Sequence, residues 1–189
     1  MASTDDVLIA LEERLKRLED QIEIYQLLST YGPCADSGSG DIVETLYKGD
    51  GKYDSGIDAF DGAAAIREMI EELPLHRQLM NQGCAHMVTM PVVNVTGDRA
   101  VATCHGQLLR RDGDGFTIWR TSATRWDLER TSSGWKIARR VNRLLDGSPG
   151  AQELFRSALF DTGAGREAWK ASASLDAPGS GDRPSPGSR

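Results

Sequence analysis

The chain has 189 residues, with Lys+Arg 22 against Asp+Glu 28, a net charge of −6, three histidines and three cysteines. A composition of 39 % apolar and 26 % charged residues suits one globular domain with a buried core and excludes disorder throughout. No apolar run reaches the ~18–20 residues that cross a bilayer, and the N-terminal Met-Ala-Ser-Thr-Asp-Asp lacks the layout of a secretion signal, so a cytoplasmic location without a membrane partner is expected. Cys34, Cys84 and Cys104 are odd in number and far apart, which fits reduced thiols better than a disulfide framework or a paired-cysteine zinc site. Acids outnumber bases in residues 1–60, and bases outnumber acids in 99–143. The acidic total argues against nucleic acid as a partner, and the arginines of 99–143 are expected on the solvent face of strands or opposite the acidic helices.

Leu8, Leu11, Leu15, Leu18, Ile22 and Tyr25 form a narrow apolar stripe at helical spacing, a seam expected to meet a second copy of the chain. Ser3 with Asp6 is a capping signal for its start. The same helix is predicted to continue to Tyr31 and to stop at Gly32-Pro33. A second helix reads from Asp41 to Lys48 with Ile42, Leu46 and Tyr47 inward, followed by a brief strand around Lys52-Tyr53-Asp54. A third runs from Ala63 to Leu73 and ends at Pro74. Segments 84–95, 99–111, 116–130 and 135–145 are rich in Val, Thr, Ile and Trp and are separated by glycine-containing turns. Leading helices followed by a four-stranded antiparallel meander describe an α+β domain, a curved, cone-shaped sheet covered by its N-terminal helices. A short helix is expected from Gln152 to Phe160, and a disordered tail from Gly163 onward. The expected division is therefore a helical extension over 1–21, the main domain over 22–147, a short helix within 148–162, and the tail.

Asp36 follows the predicted helix end, where a carboxylate can cap the next helix or face the covered side of the sheet. His86 and His105 lie in the first two long strands among apolar or small residues. A hairpin through Thr96-Gly97-Asp98 pairs residues whose numbers sum to about 194, so His86 falls opposite Leu108 and His105 opposite Thr89, with Pro91 marking a bulge. Two histidines and a carboxylate in one cavity permit proton transfer without a metal or cofactor, because an imidazole held by a carboxylate has a defined tautomer and raised basicity. A zinc site on His76, His86 and His105 is disfavoured by their irregular spacing, and His76 is expected at the surface. Cys104 and His105 point to opposite faces, so they do not form a nucleophile–base pair. Tyr31 and Tyr53 are expected to offer phenols to a ligand, Trp126 to wall the pocket, and Arg143 to neutralise an acidic group of a ligand.

The segments Leu11 to Glu19 and Ile22 to Tyr31, Ala35-Asp36-Ser37-Gly38, Gly62 to Ile66, Ala85-His86-Met87, Val95 to Ala100 and Gly134 to Arg140 together resemble the SnoaL-like branch of the nuclear-transport-factor-2-like superfamily over about residues 8–146. Tyr31, Asp36 and His86 are similar to the tyrosine, aspartate and histidine of bile-acid dehydratases. The segment Thr103 to Gln107 looks like the scytalone dehydratase strand that carries a second histidine. This sequence departs from the latter where Ser122 and Thr124 offer hydroxyls in place of an asparagine. The resemblance implies an α+β barrel and a cofactor-free dehydratase acting on a hydrophobic, oxygenated ring compound such as a polyketide or steroid. In it Asp36, His86, His105 and Tyr31 are catalytic, and Tyr53, Trp126, Ser122, Thr124 and Arg143 contact the substrate. An isomerase, a cyclase or a non-catalytic binder of the same fold remain open, as does a homodimer or homotrimer.

Overall fold

Helix α1 spans Thr4–Ser37 and opens on the expected signal, Ser3 Oγ accepting the Asp6 N–H while Asp6 accepts the Ser3 N–H. The computed structural model describes residues 3–162, so the tail expected from residue 163 lies outside the described residues. The helix does not stop at Gly32-Pro33. It continues to Ser37 and ends on Gly38 in the left-handed conformation, with the N–H groups of Gly38 and Ser39 satisfying late carbonyls. Pro33 forfeits only one backbone bond, to Ser29, and Gly32 is needed because a Cβ there would collide with the carbonyl oxygen of His86. Ile24, Leu28, Tyr31 and Ala35 are buried. Leu8, Leu11, Leu15, Leu18 and Ile22 are each at least 50 % exposed. From Ile22 to Ile24 is about 200° around the helix, so the N-terminal stripe faces away from the core that the second half of the helix covers.

Helix α2 (Gly40–Leu46) buries Val43 and Leu46 but leaves Ile42 exposed, contrary to expectation. Strands β1 (Tyr47–Asp54) and β2 (Ala59–Asp61) precede α3 (Ala63–Glu72), which buries Ile66, Met69 and Ile70. Pro74 ends α3 and also opens a further helix, α4 (Pro74–Gln82), at the position where a missing N–H costs nothing. Then come β3 (Cys84–Val88), β4 (Val92–Thr96), β5 (Arg99–Asp112), β6 (Gly115–Thr131), β7 (Gly134–Leu144) and α5 (Pro149–Asp161). The sheet order is β2-β1-β7-β6-β5-β3, with β4 continuing beside β5. The β1–β7 pairing is parallel, so the curved sheet is mixed where a wholly antiparallel one was expected.

Two irregularities decide which side chains face the helices. His86 pairs with Leu108 as expected, but Val92 pairs with Thr103, one residue out of phase, because an extra residue is taken up at Thr89–Pro91. On β7, Asp127 pairs with Arg139 while Leu128 pairs with Ile137, so Ala138 is the extra residue. The inward set therefore changes from Trp135 and Ile137 to Arg140 and Asn142. The core gathers Ile24, Leu28, Val43, Ile66, Trp126 and Ile137 between the helices and this face, while α5 packs across the other. Arg130 pairs with Asp20 and Asp98, Arg125 with Asp127 and Asp161, and Arg143 with Asp54, so acids of this same chain answer several of the basic strand residues. All three cysteines are free, and among the described residues no helix is long and apolar enough to cross a membrane.

Candidate active site

The last turn of α1 carries Asp36, against the helix dipole and with no basic residue in that turn to offset it. What holds the carboxylate there is β3. The backbone N–H of His86 donates to both oxygens, at 2.9 and 3.1 Å, and Nδ1 of the same residue lies 2.6 Å from Oδ1. The Cys84 thiol adds a longer contact at 3.5 Å. Burial pushes the Asp36 carboxyl up, but the hydrogen bonds from the side chain and backbone of His86 outweigh it and hold Asp36 below its ordinary value. A carboxylate accepts only, so Nδ1 of His86 carries a proton, and in the neutral ring Nε2 is a lone pair to which no protein group donates. Gly32 makes this possible by admitting the His86 backbone against the helix.

His86 lines a cavity with two adjoining lobes, which share Tyr31, Tyr53, His86, Leu108 and Arg120. The first, about 470 Å³ with its mouth included, is polar on its inner side, where Ser122, Arg140 and Asn142 face it. The second, about 560 Å³, is walled by Phe60, Met69, Leu73 and Leu79, with His76 among them. Tyr31 stands edge-on to His86 with ring centres 6.5 Å apart, and burial pushes its phenol well above the ordinary value, so it remains a hydrogen-bond donor.

Arg140 is the unexpected group. It is 5 % exposed, no carboxylate pairs with it, and its Nε and Nη1 have no hydrogen-bond partner. The guanidinium lies over the Tyr31 ring at 4.0 Å and the Tyr53 ring at 4.7 Å, with Trp126 at 5.6 Å. Around it Thr124 Oγ1, Trp126 Nε1 and Asn142 Oδ1 are also buried without partners, while Asn142 Nδ2 donates to the Tyr53 hydroxyl at 3.1 Å. A buried cation with free donors and no counter-charge is a place for a ligand oxygen that carries or develops negative charge.

Tyr31, Asp36, His86, Tyr53 and Ser122 thus come together, whereas Thr124 and Trp126 lie deeper, fully buried. His105 does not join them. It is exposed on the other face of β5, its ring 4.8 Å from Phe155 of α5, while its neighbour Cys104 points inward with a thiol pushed up to about 11 by burial. The pairing of His86 with Leu108 already implies this, since His105 is an odd number of residues from Leu108. Arg143 also lies outside the cavity lining, held by Asp54 through two bonds of 2.6 and 2.8 Å. His76, expected at the surface, is 5 % exposed beside His86. Reading Pro74 as the first residue of a helix rather than only as a stop would have found it; nothing local signals the bulge that turns Arg140 inward.

Asp36, Cys84 and His86 place three potential metal-ligand atoms within 4.8 Å of one another. The donor chemistry fits an ion poorly: the Cys84 thiol is pushed up to about 11 by burial and the nearby carboxylate, and that carboxylate is already engaged by both N–H groups of His86.

The profile of the SnoaL-like domain matches residues 16–141. Among solved structures, a nuclear-transport-factor-2-like protein with a cystatin-like fold from Novosphingobium aromaticivorans is 41 % identical, over 82 % of this chain and 97 % of its own, with a TM-score of 0.75. A protein of unknown function from Mycobacterium tuberculosis is 19 % identical over 87 % of this chain and 93 % of its own, TM-score 0.62. A candidate scytalone dehydratase from Novosphingobium aromaticivorans is 14 % identical over 71 % of this chain and 87 % of its own, TM-score 0.56, a likeness of fold. None of the curated proteins matches the chain. The profile match and the 41 % identity assign this chain to the SnoaL-like domain family, on the nuclear-transport-factor-2-like fold.

Proposed function

We propose that the protein is a lyase, a dehydratase acting on a hydrophobic ring compound that carries a carbonyl, and that Asp36 and His86 do the proton transfer. The observation that carries this reading is the 2.6 Å contact of His86 Nδ1 with a carboxylate that also binds the backbone of the same residue, which leaves Nε2 as a base on the cavity. Nε2 takes the proton from the carbon next to the carbonyl. The resulting enolate oxygen receives hydrogen bonds from Tyr31 and from Arg140, whose free donors and uncompensated charge suit an oxyanion. The protonated His86 then gives its proton to the hydroxyl leaving from the adjacent carbon, and water departs. The similarity of Tyr31, Asp36 and His86 to the bile-acid dehydratase set supports this reading; the apolar second lobe supports a ring or hydrocarbon substrate. An isomerase would differ only in returning the proton to another carbon.

The test is solvent-deuterium exchange into a panel of cyclic ketones by the wild-type chain and by Asp36→Asn. General acid–base catalysis of this kind supplies about 10²–10⁴-fold, and the variant is expected to lose most of it. Equal exchange by both proteins would overturn the base mechanism.

We infer also that the exposed stripe of α1 takes a second copy of the chain. With Leu8, Leu15 and Ile22 at one core position of the heptad and Leu11, Leu18 and Tyr25 at the other, a parallel pair sets Arg14 of one copy against Glu19 of the other. An antiparallel pair would bring glutamates at these flanking positions together.

A further inference from the structure

His76 sits in the first turn of α4, on the wall of the apolar lobe, with its ring centre 5.7 Å from that of His86. Its Nδ1 lies 2.9 Å from the carbonyl oxygen of Ile70. A carbonyl only accepts, so Nδ1 carries the hydrogen of the neutral ring and Nε2 presents a lone pair. That Nε2 is buried and has no partner. Burial pushes the His76 imidazole below its ordinary value, which favours the neutral ring with Nε2 as an acceptor.

The two sides of His86 differ in what they leave unpaired: around Arg140 both N–H donors and the oxygens of Asn142 and Thr124 lack partners, whereas in the apolar lobe the unpartnered buried group, among the described residues, is the His76 Nε2 acceptor. A ketone, ether or halide oriented to His76 would leave Nε2 unsatisfied, whereas a hydroxyl would satisfy it. Resting on the dehydratase reading above, we propose that His76 recognises the departing hydroxyl of the substrate, accepting its O–H at Nε2 and turning an oxygen lone pair toward His86. The substrate class is then a cyclic β-hydroxy ketone, its carbonyl at Arg140 and Tyr31, its acidic C–H at His86 and its hydroxyl at His76. The step balances: the C–H proton passes to His86 Nε2, its electron pair forms the carbon–carbon double bond, the C–O bond breaks, and the oxygen leaves as water with its own hydrogen and the proton from His86. His76 neither gains nor loses a proton.

The experiment uses the full chain carrying Asp36→Asn, in which turnover is suppressed, and measures binding of 3-hydroxy-1-tetralone against its 3-methoxy ether by calorimetry. A preference of about tenfold for the hydroxyl is expected, since one buried acceptor is satisfied by one ligand and not by the other. Adding His76→Phe should abolish the preference, and His76→Gln, which can present an amide oxygen, should restore part of it. Equal binding of the two probes, a preference that survives His76→Phe, or no binding of the hydroxy ketone would each overturn the proposal. Nitrogen NMR of the unliganded wild-type chain gives an independent reading. A bare Nε2 on His76 is expected, and a protonated one would overturn the assignment. Both readouts are free of turnover, so they stand or fall separately from the exchange assay that judges the Asp36–His86 base.

Discussion

Arg140→Met separates what this arginine does for a ligand from what it does for the fold. Within the fold the guanidinium gains from its two nearest rings, at 4.0 and 4.7 Å, about 1–4 kcal/mol in total for desolvated contacts. Against this stand the cost of taking the ion out of water, several kcal/mol, and two N–H donors left unpaired at about 1–3 kcal/mol each. The costs exceed the gains, and no carboxylate offsets them. Methionine fills a similar volume and brings neither charge nor donors, so the variant is expected to be more stable by about 1–4 kcal/mol, on the scale of the gain when buried ion pairs give way to apolar side chains. Exchange into ketones should fall about 10²–10³-fold, as when one oxyanion donor is removed. Urea unfolding followed by circular dichroism, with the slope checked for constancy, reads the first quantity, and deuterium exchange reads the second. A variant that is destabilised, or that exchanges at the wild-type rate, would refute the view of Arg140 as a cation awaiting an anionic oxygen.

Gly32→Ala places a Cβ on the His86 carbonyl and must push β3 away from α1; a loss of about 1–3 kcal/mol and of the exchange activity is expected, and an alanine variant normal in both would show that the close approach is not needed. Because Asp36 is held below its ordinary value, its contribution to stability is complete above about pH 4 and is lost as the pH falls through the lower value of the folded state. The stability difference between wild type and Asp36→Asn should therefore be constant at neutral pH and shrink in acid; a difference unchanged between pH 6 and pH 2 contradicts it. Leu11→Glu with Leu18→Glu places charge in the α1 stripe, and light scattering should show a wild-type assembly falling to the mass of a single chain, whereas equal masses would remove the case for pairing through this helix.

That Asp36 and His86 lie near each other was legible in the amino-acid order, because a helix expected to stop just before Asp36 and a strand through residue 86 follow from local patterns of apolar residues, glycine and proline; the grouping of Tyr31 with them came from the resemblance to bile-acid dehydratases. So was the meander, but the expected pairing of His86 with Leu108 holds only because the extra residue at Thr89–Pro91 shifts a register that the turn, setting Thr96 against Arg99, would carry to Leu109. Facing was harder. Side chains alternate along a strand, so one extra residue exchanges the two faces, and the bulge at Ala138 makes Arg140 the arginine of the cavity while Arg143 is held by Asp54. His105 is the opposite case: the register contained the answer, and the expectation of two histidines in one cavity ran against it. Helix α1 passes Gly32-Pro33 because contact with β3 outweighs the local tendency to stop. The amino-acid order by itself determined the charge balance, most of the helices and strands though not α4 or β2, and the nearness of Asp36 to His86. Only the tertiary structure decided that Arg140 and His76 face it from either side of His86, because a buried group's unmet hydrogen bonds depend on which distant segments pack around it.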